Sequence, residues 1–474
     1  MAPEHPFFLA GQSHRSDQPL EVVSPFDNTV VGTTFYATAA DLEEATLAAQ
    51  EAFPVLRGLS SYERATILSR IARGVSDRKN ELARIIALEA GKPIRDATTE
   101  VERAVFTFET GAEEAKRLGG EVLPMDLIPS ARGKLGIVRR FPIGPVAAIT
   151  PFNFPLNLAA HKVAPAIACG NPVVLKPPSK TPLTMLFVAG IVADSGLPKG
   201  ALSVLPMSRD IDHKMVSDSR FKLLTFTGSG EVGWGLKARA GRKKVLLELG
   251  GNAGVIVDRG ADLEAAAHRI STGGFSFAGQ SCISVQRVYV HESVFKDFSQ
   301  LLLRRVAAIK MGDPLDTSTD LGPMIDEGAV ARTQAWVDEA VALGARVLAG
   351  GKAMGRFFQP TVLTDVDPAS KVCSQEVFAP LVDLFPFQDF KEAVARVNDS
   401  AYGLQAGVFT DSLANAFCAY QQIEAGGVII NDIPSFRMDH MPYGGVKESG
   451  LGREGIRYAI EEMTEPRIMV LSGL

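Results

Sequence analysis

The sequence predicts an α/β protein with more than one hydrophobic core. Three observations point there. From Val146 onward, short apolar runs alternate with helical stretches of about ten or more residues, the pattern of crossover units feeding a parallel sheet. The 474 residues exceed the length at which a single core usually stops growing, roughly 250–300 residues, so two or three domains are expected. With 46% apolar and 22% charged residues, the composition is that of an ordinary globular chain.

Taken in order, the first third reads as helix. Asp41 to Phe53 sets apolar residues at helical spacing. A second run starts at Ser60, where Glu63 completes a capping box, and continues through Ile67, Ile71, Leu82, Ile85 and Ile86. Gly91-Lys92-Pro93 breaks it, and a third helix is expected from about Thr98 to Arg117, stopped by Gly119-Gly120. Lys134 to Arg140 turns β-like ahead of the Pro142-Ile143-Gly144-Pro145 turn. The alternating part follows: strands at Val146 to Thr150, Val173 to Lys176 and Leu223 to Thr227, with helices near Asn157 to Ala168 and Leu183 to Asp194. A second alternation runs through Val255-Ile256-Val257, a helix around Leu263 to Gly273, Arg287 to Val290 and a helix from Val294 to Ile309.

Several function classes are disfavoured. The formal charge is −5, from 49 basic and 54 acidic residues, and no long basic run exists, so nucleic acid is not an expected partner. Cys169, Cys282, Cys373 and Cys418 are widely scattered without a C-x-x-C pair, which signals neither a disulfide framework nor a metal site. The N-terminal Phe7-Phe8-Leu9-Ala10 is too brief for a secretory core. The most apolar window, Leu156 to Leu175, is interrupted by His161, Lys162, Asn171 and two prolines, so no membrane span is expected. A cytoplasmic location fits this pattern.

The chemistry is concentrated in two segments, Glu248-Leu249-Gly250-Gly251-Asn252 and Gly279-Gln280-Ser281-Cys282. A thiolate can add to a carbonyl carbon, and a carboxylate can later deprotonate the water that releases the acyl group. Taken alone, Cys282 reads equally as a buried apolar filler, and Glu248 either ends a strand at a cleft or pairs with a group the sequence does not reveal. Thr227-Gly228-Ser229-Gly230-Glu231-Val232-Gly233 follows a predicted strand and formally reads G-x-G-x-x-G. That pattern would put Glu248, about 20 residues on, against a ribose.

In combination these segments resemble the aldehyde dehydrogenase superfamily, with further matches over nearly the whole chain. The resemblance implies that Cys282, in a G-Q-x-C motif, is the nucleophile and that Glu248, in E-L-G-G, is the general base for thioester hydrolysis. Glu248 is then not the ribose ligand. Thr150-Pro151-Phe152-Asn153-Phe154-Pro155 looks like the P-[FW]-N-[FY]-P motif. By that likeness the Asn153 amide and the Cys282 backbone N–H form the oxyanion hole, an effect worth roughly 3 kcal/mol per donor.

The same likeness assigns the cofactor, NAD or NADP. Gly228 and Ser229 lie in an F-T-G-S motif, where the hydroxyl and a helix N-terminus hold the pyrophosphate. Thr150, Pro151, Phe152 and Gly250 are expected to line the nucleotide, and Lys176 to bond the adenosine ribose. NAD-preferring members usually carry a glutamate at the position of Ser179, so its absence here permits NADP. Glu376 and Phe378, in E-x-F-x-P, are expected at the nicotinamide ribose and ring, with Ala379 replacing the usual glycine.

Asn431, Arg437, Asp439 and Pro442 to Gly450 look like the family's closing signature at the substrate mouth. Arg103 and Arg437 are candidates to meet an anionic substrate. The lactaldehyde and non-phosphorylating glyceraldehyde-3-phosphate branches are the nearest in this region. Members of the latter commonly carry an arginine before the nucleophile and a tyrosine after the oxyanion asparagine; Ser281 and Phe154 stand there instead, which argues against a phosphorylated substrate.

The expected architecture is a Rossmann-type dinucleotide-binding domain (1–123 and 143–249), an α/β catalytic domain (250–447) and a small β oligomerisation extension (124–142 and 457–474). Its expected activity is NAD(P)-dependent oxidation of a small, hydroxylated or anionic, aldehyde to the acid, in a homodimer or homotetramer. The alternatives are a CoA-acylating enzyme, against which Glu248 argues, and a non-catalytic relative of the fold.

Overall fold

A computed structural model describes residues 3–473. Two large sheets organise the chain. In the first, five parallel strands run in the order Leu202–Val204, Val173–Lys176, Val146–Ile149, Leu223–Thr227 and Lys244–Glu248. Gly450–Leu451 closes one edge antiparallel to Lys244–Glu248, and Phe7–Leu9 and Gln12–His14 extend the other. The Val146–Ile149 and Leu223–Thr227 strands are buried throughout. That fits their mostly apolar composition, interrupted only by Thr225 and Thr227: crossover helices cover both faces of a parallel sheet.

The chain order reverses between Val146–Ile149 and Leu223–Thr227. Such a switch point opens a crevice at the carboxyl ends of the strands, where open α/β sheets bind ligands. Thr150, Lys176, Gly228 and Glu248 all lie at those ends.

The second sheet orders Arg346–Ala349, Thr361–Thr364, Leu381–Phe387, Val285–His291, Ala253–Val257, Gln405–Phe409 and Gly427–Ile430, parallel except for its first pair. Each sheet has its own apolar core, one drawing on Phe7 to Leu249, the other on Val255 to Ile433. Glu248 ends the last parallel strand of the first sheet, and Cys282 lies just ahead of Val285–His291 in the second. The junction between the sheets therefore brings the two segments together.

A third, antiparallel sheet pairs Gly120–Pro124 with Lys134–Pro142 and that strand with Thr464–Ser472. The last strand leaves Ile468, Met469 and Val470 about half exposed. The helix Ile456–Glu462 precedes it, and its Ile456 and Ile460 pack into the first core. No described helix is long and apolar enough to cross a membrane.

The helical third follows its sequence signals, with two local differences. Ser60 and Glu63 form the capping box. The run expected to continue from there divides into Ser61–Asp77 and Lys79–Ala90, because Arg78 leaves helical geometry at φ −107°, ψ 20°. The next helix starts at Ile94, earlier than Thr98, because Pro93 serves as its N-cap residue and needs no N–H there.

Candidate active site

The segment leading to the nucleophile is held in an unusual backbone conformation. Phe277 and Ala278 have φ of 49° and 53°, and Gly279 follows at 66°. Left-handed geometry costs about 1–3 kcal/mol at each non-glycine residue and persists only where packing imposes it. At Gly279 a Cβ would lie 2.1 Å from the Ala379 carbonyl, so only glycine lets the chain pass. The turn delivers Cys282 into a cavity of about 240 Å³ whose wall includes Phe154, Ser281, Arg103, Arg437 and Tyr443.

Asn153 stands beside this segment and donates through Nδ2 to the Gln280 carbonyl at 2.9 Å. A side-chain amide has two N–H groups, so one remains to meet a developing oxyanion. The Cys282 backbone N–H has no acceptor among the described residues. Phe152 lines the nucleotide cavity and Phe154 the small one, placing Asn153 on the partition between them.

Glu248 is buried, and its Oε2 has no hydrogen-bond partner. Burial, then the charge of neighbouring Glu454, holds its pKa well above the ordinary glutamate value, against opposing pulls from Arg437 and Lys162. Glu454 accepts from Lys162 Nζ and Arg437 Nη2, both at 3.1 Å; despite burial, these cations bring its pKa down to about 2. Burial and the cationic partners of Glu454 thus pull the two carboxyls in opposite directions, Glu248 up and Glu454 down, the arrangement in which a shared site divides its acid and base roles.

Cys282 Sγ lies 3.4 Å from the Tyr443 hydroxyl. Burial pushes the thiol up to about 12; the Tyr443 hydrogen bond pulls it down, and Glu376 and Glu248 raise it further. The Arg437 guanidinium sits 3.6 Å from the Tyr443 ring centroid, is only 4% exposed, and is bound to Glu454. Arg103 grips buried Asp439 through Nε at 3.1 Å and Nη2 at 2.7 Å. Arg269 grips Asp432 the same way, at 2.6 and 3.1 Å. Both arginines line the small cavity, and neither Nη1 makes a hydrogen bond among the described residues. Lys92 is buried against the faces of Phe154 and Phe277 and paired to Glu100, whose other oxygen accepts the backbone N–H groups of Leu156 and Asn157.

A second cavity, of about 510 Å³, opens at the switch point. Thr150, Pro151, Phe152, Lys176, Ser179 and Gly228 line it, and Ser229 caps the helix Gly230–Arg239 by position without bonding its N–H groups. A helix start with free N–H groups and a free hydroxyl fits a pyrophosphate. Thr227 Oγ1, buried without a partner, is one more group left for a ligand. Lys176 bonds Asp212 at 3.0 Å, and Arg209, His213 and Arg239 stand on the same wall. No carboxylate occupies position 179.

Glu376 accepts from Gly251 N–H at 2.8 Å, and burial lifts its pKa to about 7. A Cβ at Gly250 would lie 2.6 Å from the Glu376 carboxylate, so glycine is what permits this approach. Phe378, at φ 52°, meets Phe152 edge-on with ring centroids 5.9 Å apart.

Of the residues singled out in the sequence, Arg103, Phe154, Ser281, Cys282 and Arg437 line the small cavity and Thr150, Pro151, Phe152, Lys176, Ser179, Gly228 and Ser229 the larger one, whereas Asn153, Glu248, Gly250, Glu376 and Phe378 line neither. Sequence reasoning missed Tyr443, Lys162, Glu454 and Arg269. For Lys162 a signal existed, a lysine inside the largely apolar, fully buried helix Asn157–Cys169. Arg269 had none, since it is an ordinary polar position on an amphipathic helix.

Comparison with known proteins agrees with this geometry. The aldehyde dehydrogenase family profile matches residues 12–469. The chain is 44% identical over 470 residues to the 3-sulfolactaldehyde dehydrogenase of Priestia aryabhattai, covering 99% of this chain and 98% of that one. Aldehyde dehydrogenase 21 of Physcomitrella patens, solved with its reaction product succinate, superposes with a TM-score of 0.98 at 45% identity, covering 100% and 99% of the two chains. The glyceraldehyde-3-phosphate dehydrogenase of Methanocaldococcus jannaschii, solved with NADP, gives 0.92 at 38%, covering 97% and 100%. The chain belongs to the aldehyde dehydrogenase family and is an NAD(P)-dependent aldehyde oxidoreductase.

Proposed function

We propose that the protein oxidises a small aldehyde carrying a carboxylate or sulfonate to the corresponding acid, with NADP as its preferred acceptor and Cys282 as the covalent carrier. The observation that carries the substrate class is the pair of side-on bound arginines, Arg103 and Arg269, which both line the cavity that holds Cys282 and whose Nη1 groups make no hydrogen bond among the described residues. An arginine held by one carboxylate is already oriented for a second anion, so little side-chain entropy is lost on binding. At about 240 Å³ the cavity is below the usual range for drug-sized ligands, which suits a short chain. Two of the similar proteins point the same way, one named for a sulfonated aldehyde and one solved with a dicarboxylate product.

The chemistry follows from the residues. The Cys282 sulfur adds to the carbonyl carbon, and the carbonyl electron pair moves onto oxygen, where the second Asn153 N–H and the Cys282 backbone N–H receive it. Bound NAD(P) supplies the acceptor for the hydride expelled when that oxygen re-forms a carbonyl, leaving a thioester on Cys282. Glu248 takes a proton from water, the resulting oxygen nucleophile attacks the thioester, and the sulfur departs as the acid forms. Glu454, held charged by Lys162 and Arg437, raises the Glu248 pKa together with burial, which makes Glu248 a stronger base in its deprotonated form.

NADP is favoured by Ser179 in place of a carboxylate and by Arg209 on the same cavity wall. The proposed division places residues 1–123 and 143–249 with the nucleotide and 250–447 with catalysis; the two separate cores support it. The half-exposed apolar strand Thr464–Ser472 supports association into a homodimer or homotetramer. An absorbance screen of carboxylated, sulfonated, hydroxylated and neutral aldehydes with NAD and with NADP tests the reading. Anionic short-chain aldehydes with NADP are expected to give the highest kcat/KM, and a preference for neutral aldehydes would overturn it.

A further inference from the structure

We propose that the Tyr443 hydroxyl donates a hydrogen bond to the Cys282 sulfur once that sulfur has lost its proton, favouring the thiolate that attacks the substrate and making Tyr443 a catalytic residue of the acylation step. The proposal deepens the reading above and rests on Cys282 being the nucleophile.

The geometry is a 3.4 Å contact between Sγ and the phenol oxygen. While sulfur carries its proton, either atom can donate. Once the proton has left, sulfur can only accept, and the tyrosine O–H is the donor in place to meet it. No lysine or histidine is bonded to Sγ among the described residues, so the usual cationic activator of a cysteine is missing. The charged groups that act on the thiol are Glu376, Glu248 and Arg437; the two acids oppose ionisation. Something must offset burial and those carboxylates.

Tyr443 is built for the task. Its backbone N–H and C=O both bond those of Glu454, at 3.0 and 2.6 Å, which fixes the residue opposite that acid. Its ring packs with Ile283 and Leu404. Arg437, anchored by Glu454, lies on the ring face 3.6 Å from the centroid. A cation there draws electron density from the ring and strengthens the phenol as a donor. No hydrogen bond joins Arg437 to Sγ among the described residues; its charge favours the thiolate through space and also polarises the ring it stacks on. Burial keeps the phenol's own pKa well above the ordinary tyrosine value, and the O–H stays intact across working pH. In the step served, the thiol proton has already passed to solvent, the Sγ–C bond forms, the carbonyl π pair moves to oxygen, and the tyrosine proton remains on its own oxygen.

The test is alkylation of the full-length enzyme by iodoacetamide without substrate, followed over a pH series, with Cys282 modification quantified by mass spectrometry. Tyr443→Phe keeps the ring and removes the donor. Its rate near neutral pH should fall about 10-fold and its titration midpoint rise by about one pH unit, while the high-pH limit and NADPH binding by fluorescence match the unmodified enzyme. Arg437→Lys, which loses the planar stack, should move the midpoint in the same direction by less. An unchanged profile in Tyr443→Phe overturns the proposal, as does a midpoint that moves in Arg437→Lys alone. Should Cys282→Ser retain turnover, the nucleophile reading fails instead, and the two failures are distinguishable.

Discussion

Replacing Arg103 by glutamine removes the charge and the planar fork but leaves a polar side chain of similar reach. Asp439 would still accept from His161 at 2.7 Å and from Asn157 at 3.1 Å, so the buried acid stays partnered and the fold should hold. What is lost is one charge-assisted contact to the substrate anion. Such contacts contribute about 1.5–3 kcal/mol. Arg103 is 28% exposed, which puts it at the low end, about 1.5–2 kcal/mol, or roughly 10- to 30-fold in KM at 1.4 kcal/mol per decade. Because the anion lies away from the reacting carbon, the contact is the same in ground and transition states. KM should therefore rise with kcat nearly unchanged. Steady-state kinetics with a carboxylated aldehyde and a neutral aldehyde of similar length give the assay. Equal losses on both substrates would refute the reasoning, since a neutral chain has nothing for Arg103 to hold.

Other consequences follow from the same geometry. Glu248→Gln should slow acyl-enzyme hydrolysis by about 100-fold or more while a pre-steady-state burst of NADPH persists; loss of the burst would move Glu248 to the acylation step. The base works deprotonated and its pKa is raised by burial and Glu454, so hydrolysis should increase with pH and be lost as pH falls through that raised value. A single-turnover deacylation rate that is flat with pH would contradict this. Ser179→Glu places a carboxylate beside the ribose position and should lower kcat/KM for NADP relative to NAD by about 10-fold or more, measured with one aldehyde at saturation.

The fold was legible where a local rule decides the outcome. Ser60 with Glu63 announced a helix start, and Leu223 to Thr227 announced a buried strand because a strand covered on both faces of a parallel sheet is mostly apolar. The break at Arg78 was hidden, since Leu82, Ile85 and Ile86 continue the helical period across it. Phe7–Leu9, too short to carry a period, becomes a strand through its hairpin with Gln12–His14 and joins the sheet where Phe8 pairs with Val204, nearly two hundred residues away.

The candidate site divided the same way. Cys282, Glu248 and Asn153 each lie in a short contiguous motif, and a motif survives in one dimension. Arg269 with Asp432 and Lys162 with Glu454 are pairs made by the docking of distant segments, and no local pattern records them. Arg437 and Tyr443 are close in sequence, but the stacking of one on the other depends on how the loop between them folds.

The most direct measurement is intact and peptide mass spectrometry of the Glu248→Gln protein, quenched during turnover with an anionic aldehyde and NADP. An acyl adduct confined to the peptide that contains Cys282 is the predicted result. An adduct on a different side chain, or turnover with no adduct at all, would contradict covalent catalysis by this cysteine.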